Sequence, residues 1–433
     1  MSAGGTVTIL PGRAVGKVIA PPSKSMAHRL LISAALAEGE STVRHLAPSE
    51  DILATRDCLT ALGASLDNTA ADVCTVRGTS AGAGIGTTHT ADSPRRLYCR
   101  ESGSTLRFLL PLCLDGIPTE LYGQGRLLAR PLGIYRELCE ERGIHFAQSE
   151  SKITVCGRLQ AGDFSLRGDI SSQFITGLLF ALPRLDGDSR ILLTTPIESR
   201  SYLDLTLDAL RTFDICAEWR NERELYIPGN QHYRASVVTV EGDHSNAAFL
   251  GALGALGGQV SVEGLREDSL QGDRVWQPHL QALMAGSPTI SLADCPDLGP
   301  VLMAVAAAKQ GATFTDAGRL RLKESDRGTA MAQELDAFGI RVEIAPDGNT
   351  IRVHASPLRA PDRILCGHND HRIVMSLALL CTLTGGTISD AAAVAKSYPD
   401  FFEVLGALGI HCTVKSPTDS IGKSFFDSKT FII

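Results

Sequence analysis

A pattern of helix and strand signals recurs six times along this chain. Each copy contains a polar turn, an apolar helix, a glycine with a β-rich run, a charged second helix and a turn into another strand. The first helices are predicted to begin near Ser25, Ser104, Ser172, Ser245, Asp297 and Asp370. The second helices are predicted to end near Gly63, Gly143, Asp214, Gly286, Gly339 and Gly409. One such unit cannot bury its apolar helix alone, so the pattern predicts a fold of packed α/β repeats.

The six repeats group most simply as two sets of three, which predicts two similar lobes of an α/β protein. A boundary near Val240 and Glu241 separates the two sets. Residues 6–20 are predicted to form strands ahead of the first repeat, and patterning leaves open which lobe they complete. Residues 415–433 belong to no repeat, and we interpret them as a tail.

Composition narrows the classes of function. A formal charge of −7 argues against general affinity for nucleic acid or an anionic membrane, so any basic cluster should bind a small anion. Eleven scattered cysteines show no metal-ligand spacing, and we interpret them as reduced residues of a cytoplasmic protein without a metal. The sequence carries no recognisable export signal, and its longest apolar stretches, such as residues 373–383, are too short to span a bilayer.

The first helix of the first repeat has the features of an anion site. A pair of prolines, the second of which is Pro22, prevents a helix from forming up to that point. The Ser-Lys-Ser turn that follows is predicted to begin a helix. Ser25 and Arg29 are four residues apart and share a helix face, while Lys24 lies beside the exposed N–H groups of the first turn. This stretch alone is equally compatible with a serine-capped helix whose basic side chains point into water.

The second repeat also has the features of an anion site at the start of its first helix. Gly103 allows a ligand to approach the backbone N–H groups of a helix start, and Arg107 lies one turn further on. Arg130 precedes Pro131, which suits the first turn of the second helix. Taken alone, Arg130 is typical of a solvated surface arginine.

Polar helix starts return in the third repeat, where Ser171, Ser172 and Gln173 are explained by plain capping when considered alone. Glu198-Ser199-Arg200-Ser201-Tyr202 precedes the second helix of that repeat.

Charged residues are densest in the fifth repeat. Asp297 is a candidate N-cap, and Lys323 and Arg327 are predicted to share a helix face with Glu324 adjacent. Such a run usually marks a solvated face, but it is also the pattern expected where an anion and a proton donor meet. The sixth repeat adds Arg372, in Asn-Asp-His-Arg, and Lys396.

Eight segments together resemble the 5-enolpyruvylshikimate-3-phosphate synthase family. In chain order they are APPSKSMAHR, ESGSTLRFL, ISSQF, EGDHSNAAF, SLQGD, LKESDR, NDHR and AKSYPDFF. The match spans nearly the whole chain, and eight strings in register are far more specific than any one of them. The resemblance implies transfer of the enolpyruvyl group of phosphoenolpyruvate to the 5-hydroxyl of shikimate 3-phosphate, with release of phosphate, on the route to chorismate and aromatic amino acids.

The resemblance also implies an architecture. It is two lobes of three βαβαββ-type units each, an inside-out α/β barrel with six repeats in total. One lobe would comprise residues 1–21 with 241–414, the other residues 22–240, and residues 415–433 would form the C-terminal tail. We expect a cytoplasmic monomer whose partners are the two small-molecule substrates, with no metal, organic cofactor, nucleic acid or membrane.

The matching motifs assign residues to each substrate, and both substrates carry phosphate and carboxylate groups that several cations must bind. For shikimate 3-phosphate they imply Lys24, Ser25, Arg29, Ser171, Ser172, Ser199, Tyr202, Asp297 and Lys323. For phosphoenolpyruvate they imply Lys24, Gly103, Arg107, Arg130, Gln173, Arg327, Arg372 and Lys396. The catalytic residues would be Asp297, accepting the hydroxyl proton, Glu324, delivering and recovering the methyl proton, and Lys24.

Two other functions are compatible with the repeat pattern. The related UDP-N-acetylglucosamine enolpyruvyl transferase would show Lys-Asn where this chain has Lys-Ser at Ser25, and a reactive loop cysteine in the second repeat. Cys113 lies in an apolar helix and Cys99 precedes the glycine turn, so neither fits. A non-catalytic scaffold that binds an anionic partner would have no need of both Asp297 and Glu324.

The tail gives a first test, because no assigned residue follows Lys396. Truncation at about Ser420 should leave turnover within roughly a factor of three of the full chain. Steady-state assays of both proteins, with circular dichroism as the folding control, measure this. A truncated protein that folds but loses activity would give the tail a functional part.

Overall fold

The computed structural model of this chain describes residues 5–78, 90 and 92–415. The run interpreted as a tail therefore lies outside the described residues, apart from Lys415. That residue ends the last strand, so it belongs to the repeat and not to the tail.

Strands and helices alternate along the described chain. The strands are β1 (Thr6–Ile9), β2 (Val15–Ile19), β3 (Glu40–Arg44), β4 (Ser65–Ala70), β5 (Val73–Arg77), β6 (Arg95–Tyr98), β7 (Thr119–Tyr122), β8 (His145–Gln148), β9 (Lys152–Cys156), β10 (Asp163–Leu166), β11 (Ser189–Leu193), β12 (Glu218–Asn221), β13 (Glu224–Ile227), β14 (Val237–Thr239), β15 (Gln259–Glu263), β16 (Thr289–Ser291), β17 (Ala312–Thr315), β18 (Val342–Ile344), β19 (Ile351–Val353), β20 (Gly386–Ser389) and β21 (Cys412–Lys415). The α-helices are α1 (Lys24–Leu36), α2 (Glu50–Ala61), α3 (Gly103–Leu109), α4 (Gly133–Glu141), α5 (Ser172–Ala181), α6 (Arg200–Thr212), α7 (His244–Ala255), α8 (Trp276–Ala285), α9 (Gly299–Ala308), α10 (Arg327–Ala337), α11 (His371–Thr384) and α12 (Phe401–Ala407). Each predicted first-helix start and second-helix end lies within two residues of an observed one.

The chain divides into two compact units. The central unit is Pro22–Glu241, and the discontinuous unit combines the residues up to Pro21 with those from Gly242 onward. Each unit has its own cluster of buried apolar side chains. The N-terminal strands complete the discontinuous unit, because β1 pairs with β20 and β21 and β2 pairs with β15.

Four sheets repeat one strand order, in which a parallel pair is followed by two antiparallel partners. They are β14-β3-β5-β4, β6-β7-β9-β8, β10-β11-β13-β12 and β16-β17-β19-β18. A parallel pair requires a crossover, and α3, α5 and α9 supply it in the last three of these sheets. The crossover helices α3, α5 and α9 contribute buried apolar side chains to the two cores.

Capping side chains fix where most first helices begin. The caps are Ser23 for α1, Ser102 for α3, Ser171 for α5, Asp243 for α7 and Asp370 for α11, each accepting a bond from a backbone N–H of the first turn. The exception is α9, whose N-cap is Leu298 after a 3₁₀ turn over Pro296–Leu298. The predicted N-cap Asp297 is therefore not a cap, and its carboxylate is available for other contacts.

A second expectation also needs correction. Lys323 and Arg327 do not share a helix face, because a 3₁₀ helix over Gly318–Leu322 ends before Lys323 and α10 begins only at Arg327, capped by Asp326. The dense charges break the helix into two pieces, and the cap at Asp326 competes successfully with helix continuation.

The first helices α9 and α11 are buried along most of their length. Apolar side chains cover all faces of α9, as expected for a helix that is surrounded by protein, whereas α11 also buries the polar residues Arg372 and Ser376. In the part of the chain that the structure covers, no helix is long and apolar enough to cross a membrane.

Gly251 and Gly254 lie on α7 and give a matched test of close packing. A Cβ at Gly251 would lie 2.2 Å from the ring of the buried Trp276, whereas at Gly254 the nearest atom would be the Val260 carbonyl oxygen at 3.9 Å. We expect Gly251→Ala to lower the free energy of unfolding by about 1–3 kcal/mol. Gly254→Ala should leave it unchanged or raise it by up to about 1 kcal/mol. Equilibrium unfolding in urea measures both, and equal effects would contradict the packing argument.

Candidate active site

The amino group of Lys24 is paired and held at the start of α1. Its Nζ lies 2.9 Å from Oδ2 of Asp51, on the first turn of α2, and the two side chains are only 14% and 10% exposed. Ser23 caps α1 immediately before it, which fixes the backbone of the turn. A lysine held this way presents a positive charge at a helix N-terminus, where an anion is stabilised.

Arg29 is more deeply buried than its motif suggested. Its guanidinium donates to the Ser25 carbonyl at 2.6 Å, to the Tyr202 carbonyl at 2.8 Å and to Thr206 Oγ1 at 2.9 Å. It also lies 5.2 Å from the centre of the Phe108 ring. Burial lowers the pKa of Arg29 to about 10, so it stays charged at neutral pH. Two of its five N–H groups lie outside these three bonds and remain possible donors to a ligand.

Four predicted residues of the phosphoenolpyruvate set meet at the start of α3. Arg107 donates from Nη1 to Gln173 Oε1 at 2.6 Å. A Cβ at Gly103 would lie 2.8 Å from Nη1 of Arg130, 3.4 Å from Nη1 of Arg107 and 3.8 Å from Gln173 Oε1. A side chain at this position would therefore require the guanidinium group of Arg130 to shift.

The predicted serines occupy helix starts in the central unit. Ser171 caps α5 by accepting from the Gln173 N–H, so the capping interpretation holds for its oxygen, while Ser172 is buried in the first turn. Ser199 is the N-cap position of α6 with a left-handed backbone, φ 57° and ψ 47°. Its side chain is buried and does not cap the helix. Tyr202 packs against the apolar core.

A buried chain of hydroxyl groups ties these helix starts together. Thr105 contacts both Ser102 and Thr55 at 2.7 Å, and Thr55 contacts Nδ1 of His28 at 2.8 Å. Burial, followed by the charges of Lys24 and Arg29, lowers the pKa of His28 well below its usual range, so its ring is neutral. The sequence analysis did not predict this network or the ion pair of Asp51 with Lys24, because no local sequence pattern indicates contacts between separate repeats.

The discontinuous unit gathers three cations around Asp297. Its Oδ1 lies 2.8 Å from Nη1 of Arg327 and 3.0 Å from Nζ of Lys323, and its Oδ2 lies 3.2 Å from Nη2 of Arg372. Burial raises the pKa of Asp297, but the three cations lower it by more, so the pKa lies well below its usual range. Asp297 is therefore ionised at neutral pH.

Arg327 in turn joins three carboxylates, and its side chain is only 1% exposed. Besides Asp297 it contacts Oε2 of Glu324 at 2.7 Å and Oδ2 of Asp370 at 2.9 Å. Burial lowers the pKa of Arg327, but the carboxylates raise it by more. Asp370 is fully buried and also caps α11, so it fixes both Arg327 and the helix that carries Arg372.

Lys323 and Lys396 are the remaining predicted residues of this unit, and both lie near the Asp297 cluster or near the start of α11. Burial lowers the pKa of Lys323 despite the opposing charge of Asp297. Lys396 donates from Nζ to the carbonyl of Asn369 at 2.6 Å, beside the start of α11. The structure thus brings together Asp297, Lys323, Glu324, Arg327 and Arg372, and attaches Lys396 to the same helix start.

Asp273 was not predicted as a site residue, although it ends the SLQGD segment. Burial, with a contribution from the charge of Asp297, raises the pKa of Asp273 to about 7. Arg372 and a hydrogen bond from Ser245 act in the opposite direction. Asp273 is a second carboxyl group beside the charged cluster, and its protonation changes near neutral pH. Among the residues described, no three His, Cys, Asp or Glu side chains are grouped as metal ligands are.

The low pKa of Asp297 predicts how stability depends on pH. Because the folded pKa is below the unfolded value of about 3.9, the ionised carboxylate adds stability that is present above the unfolded pKa and lost as pH falls through the folded one. Asp297→Asn should therefore lose less stability than wild type on acidification below about pH 4, by about 1.4 kcal/mol for each pKa unit of lowering. Urea unfolding across this pH range measures the difference.

Asp294→Asn is the matched control, because Asp294 is exposed and makes no ion pair with any described residue. It should follow the wild-type pH dependence. An Asp297→Asn profile that coincides with the wild type would contradict a lowered pKa at this position.

Comparison with known proteins finds one family that matches nearly the whole chain. The family model described as EPSP synthase (3-phosphoshikimate 1-carboxyvinyltransferase) matches residues 10–405. A curated 3-phosphoshikimate 1-carboxyvinyltransferase of Clostridium beijerinckii is 39% identical over 429 residues, covering 94% of this chain and 98% of the relative. Its counterpart in Clostridioides difficile is 38% identical over 430 residues, with 94% and 98% coverage.

Solved structures support the fold. EPSP synthase from Acinetobacter baumannii has a TM-score of 0.74 at 22% identity and covers 95% of this chain and 100% of its own. The enolpyruvyl transferase NikO from Streptomyces tendae also has a TM-score of 0.74, at 17% identity, with 95% and 99% coverage. These similarities confirm the predicted α/β class built from two sets of three repeats, and with the family match they show that this chain belongs to the EPSP synthase family.

Proposed function

We propose that this protein transfers the enolpyruvyl group of phosphoenolpyruvate to the 5-hydroxyl of shikimate 3-phosphate, with release of inorganic phosphate. The observation that carries the proposal is the contact of Asp297 with Lys323, Arg327 and Arg372, with Glu324 bound to the same Arg327. A proton acceptor and a proton donor beside three cations suit an acid–base reaction on two anionic substrates.

The central unit supplies part of the proposed binding set. Arg107 and Arg130 lie beside Gly103, where two planar guanidinium groups can bind a carboxylate or phosphate in bidentate fashion. We assign this group, with Gln173, to phosphoenolpyruvate. Ser25, Arg29, Ser171, Ser172, Ser199 and Tyr202 are assigned to shikimate 3-phosphate, and Lys24 to both substrates.

The discontinuous unit supplies the rest. Lys323 and Asp297 are assigned to shikimate 3-phosphate, and Arg327, Arg372 and Lys396 to phosphoenolpyruvate. In the structure Lys323, Arg327 and Arg372 each contact Asp297, so the anionic groups of the substrates would compete with Asp297 for its cations.

This competition explains how Asp297 can act as a base although its pKa is low. A carboxylate held by three cations is a weak proton acceptor. When substrate anions neutralise those cations, the electrostatic effect that lowers the pKa weakens, while burial continues to raise it. The pKa of Asp297 should then rise toward the range useful for accepting the 5-hydroxyl proton.

Glu324 is placed for the second proton transfer. Its Oε2 accepts a hydrogen bond from Nη2 of Arg327, the same arginine that contacts Asp297. We propose that it protonates C3 of phosphoenolpyruvate when C2 is attacked and recovers a proton when phosphate leaves. Lys24 is proposed as a third catalytic group that stabilises the departing phosphate.

The UDP-N-acetylglucosamine reaction fits this chain less well. Its reactive cysteine would have to be Cys99 or Cys113, and both are buried. A hydrogen bond with Cys58 and burial raise the pKa of Cys99, and burial raises the pKa of Cys113 to about 12. Neither thiol would be a thiolate at neutral pH.

We further propose a monomer that works in the cytoplasm. All eleven cysteines are free thiols in the structure, which suits a reducing compartment. Each unit has its own buried core, so neither depends on a second chain to bury apolar surface. Analytical ultracentrifugation at micromolar protein would measure the mass.

The substrate assignment is tested by phosphate release. We expect release only when shikimate 3-phosphate and phosphoenolpyruvate are both present, undiminished by a metal chelator, and none with UDP-N-acetylglucosamine as the acceptor. A rate supported by UDP-N-acetylglucosamine, or one abolished by the chelator, would contradict the proposal.

The carboxylates are tested separately. Asp297→Ala and Glu324→Gln should each lower kcat on the order of a hundredfold or more while shikimate 3-phosphate still binds, because each removes a proton-transfer group. Steady-state kinetics and calorimetry measure the two properties. Asp294→Asn serves again as the control and should keep wild-type turnover. A Glu324→Gln variant with near wild-type kcat would contradict the catalytic assignment. The role of Glu324 would then be structural, as a partner of Arg327.

A further inference from the structure

The central unit contains a cavity of about 690 Å³ that the proposed reaction does not use. Leu36, the last residue of α1, is in its wall, and so are Pro111 and Ala181 at the ends of α3 and α5. Lys24 opens α1 at its other end, about 18 Å away along the helix at 1.5 Å per residue. The cavity therefore lies at the opposite ends of the helices whose starts carry the proposed substrate residues.

Part of the cavity wall is apolar, and the rest is polar or charged. Leu112, Leu114, Leu159 and Tyr233 line it and are each at most 8% exposed. The hydroxyl of Tyr233 donates to the Phe180 carbonyl at 2.9 Å, so its polar tip already has a partner. A ligand in this cavity would place an apolar body here.

The acidic groups in the wall already have partners. The pairs are Glu38 with His232 at 3.3 Å, Asp115 with Arg95 at 2.9 Å, and Asp186 with Asn230 at 3.2 Å. Of these partners, Arg95 carries a permanent charge, His232 is charged only when protonated, and Asn230 is neutral.

Backbone carbonyls near the helix ends are also occupied. The Leu114 carbonyl accepts from the Leu159 N–H, the Pro183 carbonyl from Gln231 and the Leu185 carbonyl from Asn230, each at 2.8 Å. The negative ends of the helix dipoles are thus partly offset by donors from the chain itself.

Two arginines differ from all these groups. Both Arg158 and Arg184 are exposed at the mouth of the cavity, and across the described chain their guanidinium groups make no hydrogen bond or ion pair with another residue. Arg158 lies against the backbone of Gly116, where a Cβ would be 3.4 Å from its Nη2. Arg184 ends the 3₁₀ helix over Leu182–Arg184, and its charge acts on the nearby Tyr233.

We propose that this cavity is a second binding site, for a small organic anion with an apolar body such as an aryl carboxylate. The apolar body would cover Leu112 and Leu159, and the carboxylate would accept hydrogen bonds from Arg158 and Arg184. The volume lies within the range of about 300–1,000 Å³ that is usual for small-molecule sites.

Naphthylacetate is a suitable probe, and calorimetry on the full chain measures its binding. We expect a dissociation constant on the order of 1 mM or lower for the wild type. Arg158→Gln with Arg184→Gln should weaken binding about tenfold or more, since hydrogen bonds from charged donors are lost. Naphthylacetamide, the neutral analogue, should bind the wild type more weakly by a similar factor. Ala161→Trp, which fills the cavity without changing its charge, should also abolish binding.

The matched control is Arg211→Gln with Arg220→Gln, which removes two exposed arginines of the same unit that do not line the cavity. It should bind naphthylacetate as the wild type does. The Arg107→Gln variant separates the cavity from the proposed substrate residues, and it too should keep binding. Circular dichroism melting checks that every variant is folded.

Several outcomes would overturn the proposal. Equal binding of the acid and the amide would do so, as would tighter binding of naphthylethylamine than of the acid. So would binding that is lost in Arg107→Gln but kept in the Arg158 and Arg184 double variant. The last is the absence of binding to the wild type at a concentration about tenfold above 1 mM. None of these depends on turnover, so failure here is distinguishable from failure of the proposed reaction.

Discussion

The burial of one guanidinium group governs the charged centre of the discontinuous unit. Removing Arg327 from water is costly, and only its three carboxylate partners compensate. Because Asp370 also caps α11, the ion pair fixes the start of the helix that carries Arg372. Arg372 then reaches back to Asp297, so one closed ring of charges positions both the proposed base and the cations around it. Loss of any member would leave a buried charge uncompensated. The charged groups therefore hold one another in place, and none of them can be substituted without cost.

The repeat pattern was sufficient to predict the fold class and to place helix ends within two residues. Glycines and capping residues are local signals, and they act through the few residues around them. The two errors have the same cause. Asp297 looks like a cap and Lys323 looks like part of a helix, but each side chain bonds to a group in another segment. Tertiary electrostatics overrode local preference at the residues proposed for chemistry.

For the site itself, sequence indicated which residues carry charge but not which partners hold them. Gly103, Arg107, Arg130 and Gln173 come from three segments and meet in the structure, as the shared motif logic suggested. Asp51 was not foreseen, because its position on α2 shows only an acidic first turn, which is ordinary at a helix start. Thr206 was missed for a similar reason, since its bond to Arg29 joins residues 177 positions apart. The role of Asp273 depends on burial, which no short motif reports.

The membership of β1 in the discontinuous unit has a consequence for synthesis on the ribosome. Thr8 on β1 contacts Thr387 on β20, 379 positions later in the sequence, and the other neighbour of β1 is β21. The strands of the central unit pair only with one another, so that unit can complete its sheets while β1 still has no partner. Contacts of such long sequence separation form slowly because a large loop must close first. Strand β1 thus leaves the ribosome before the whole central unit but joins its sheet after it, and until then its edge is open to pairing with another chain.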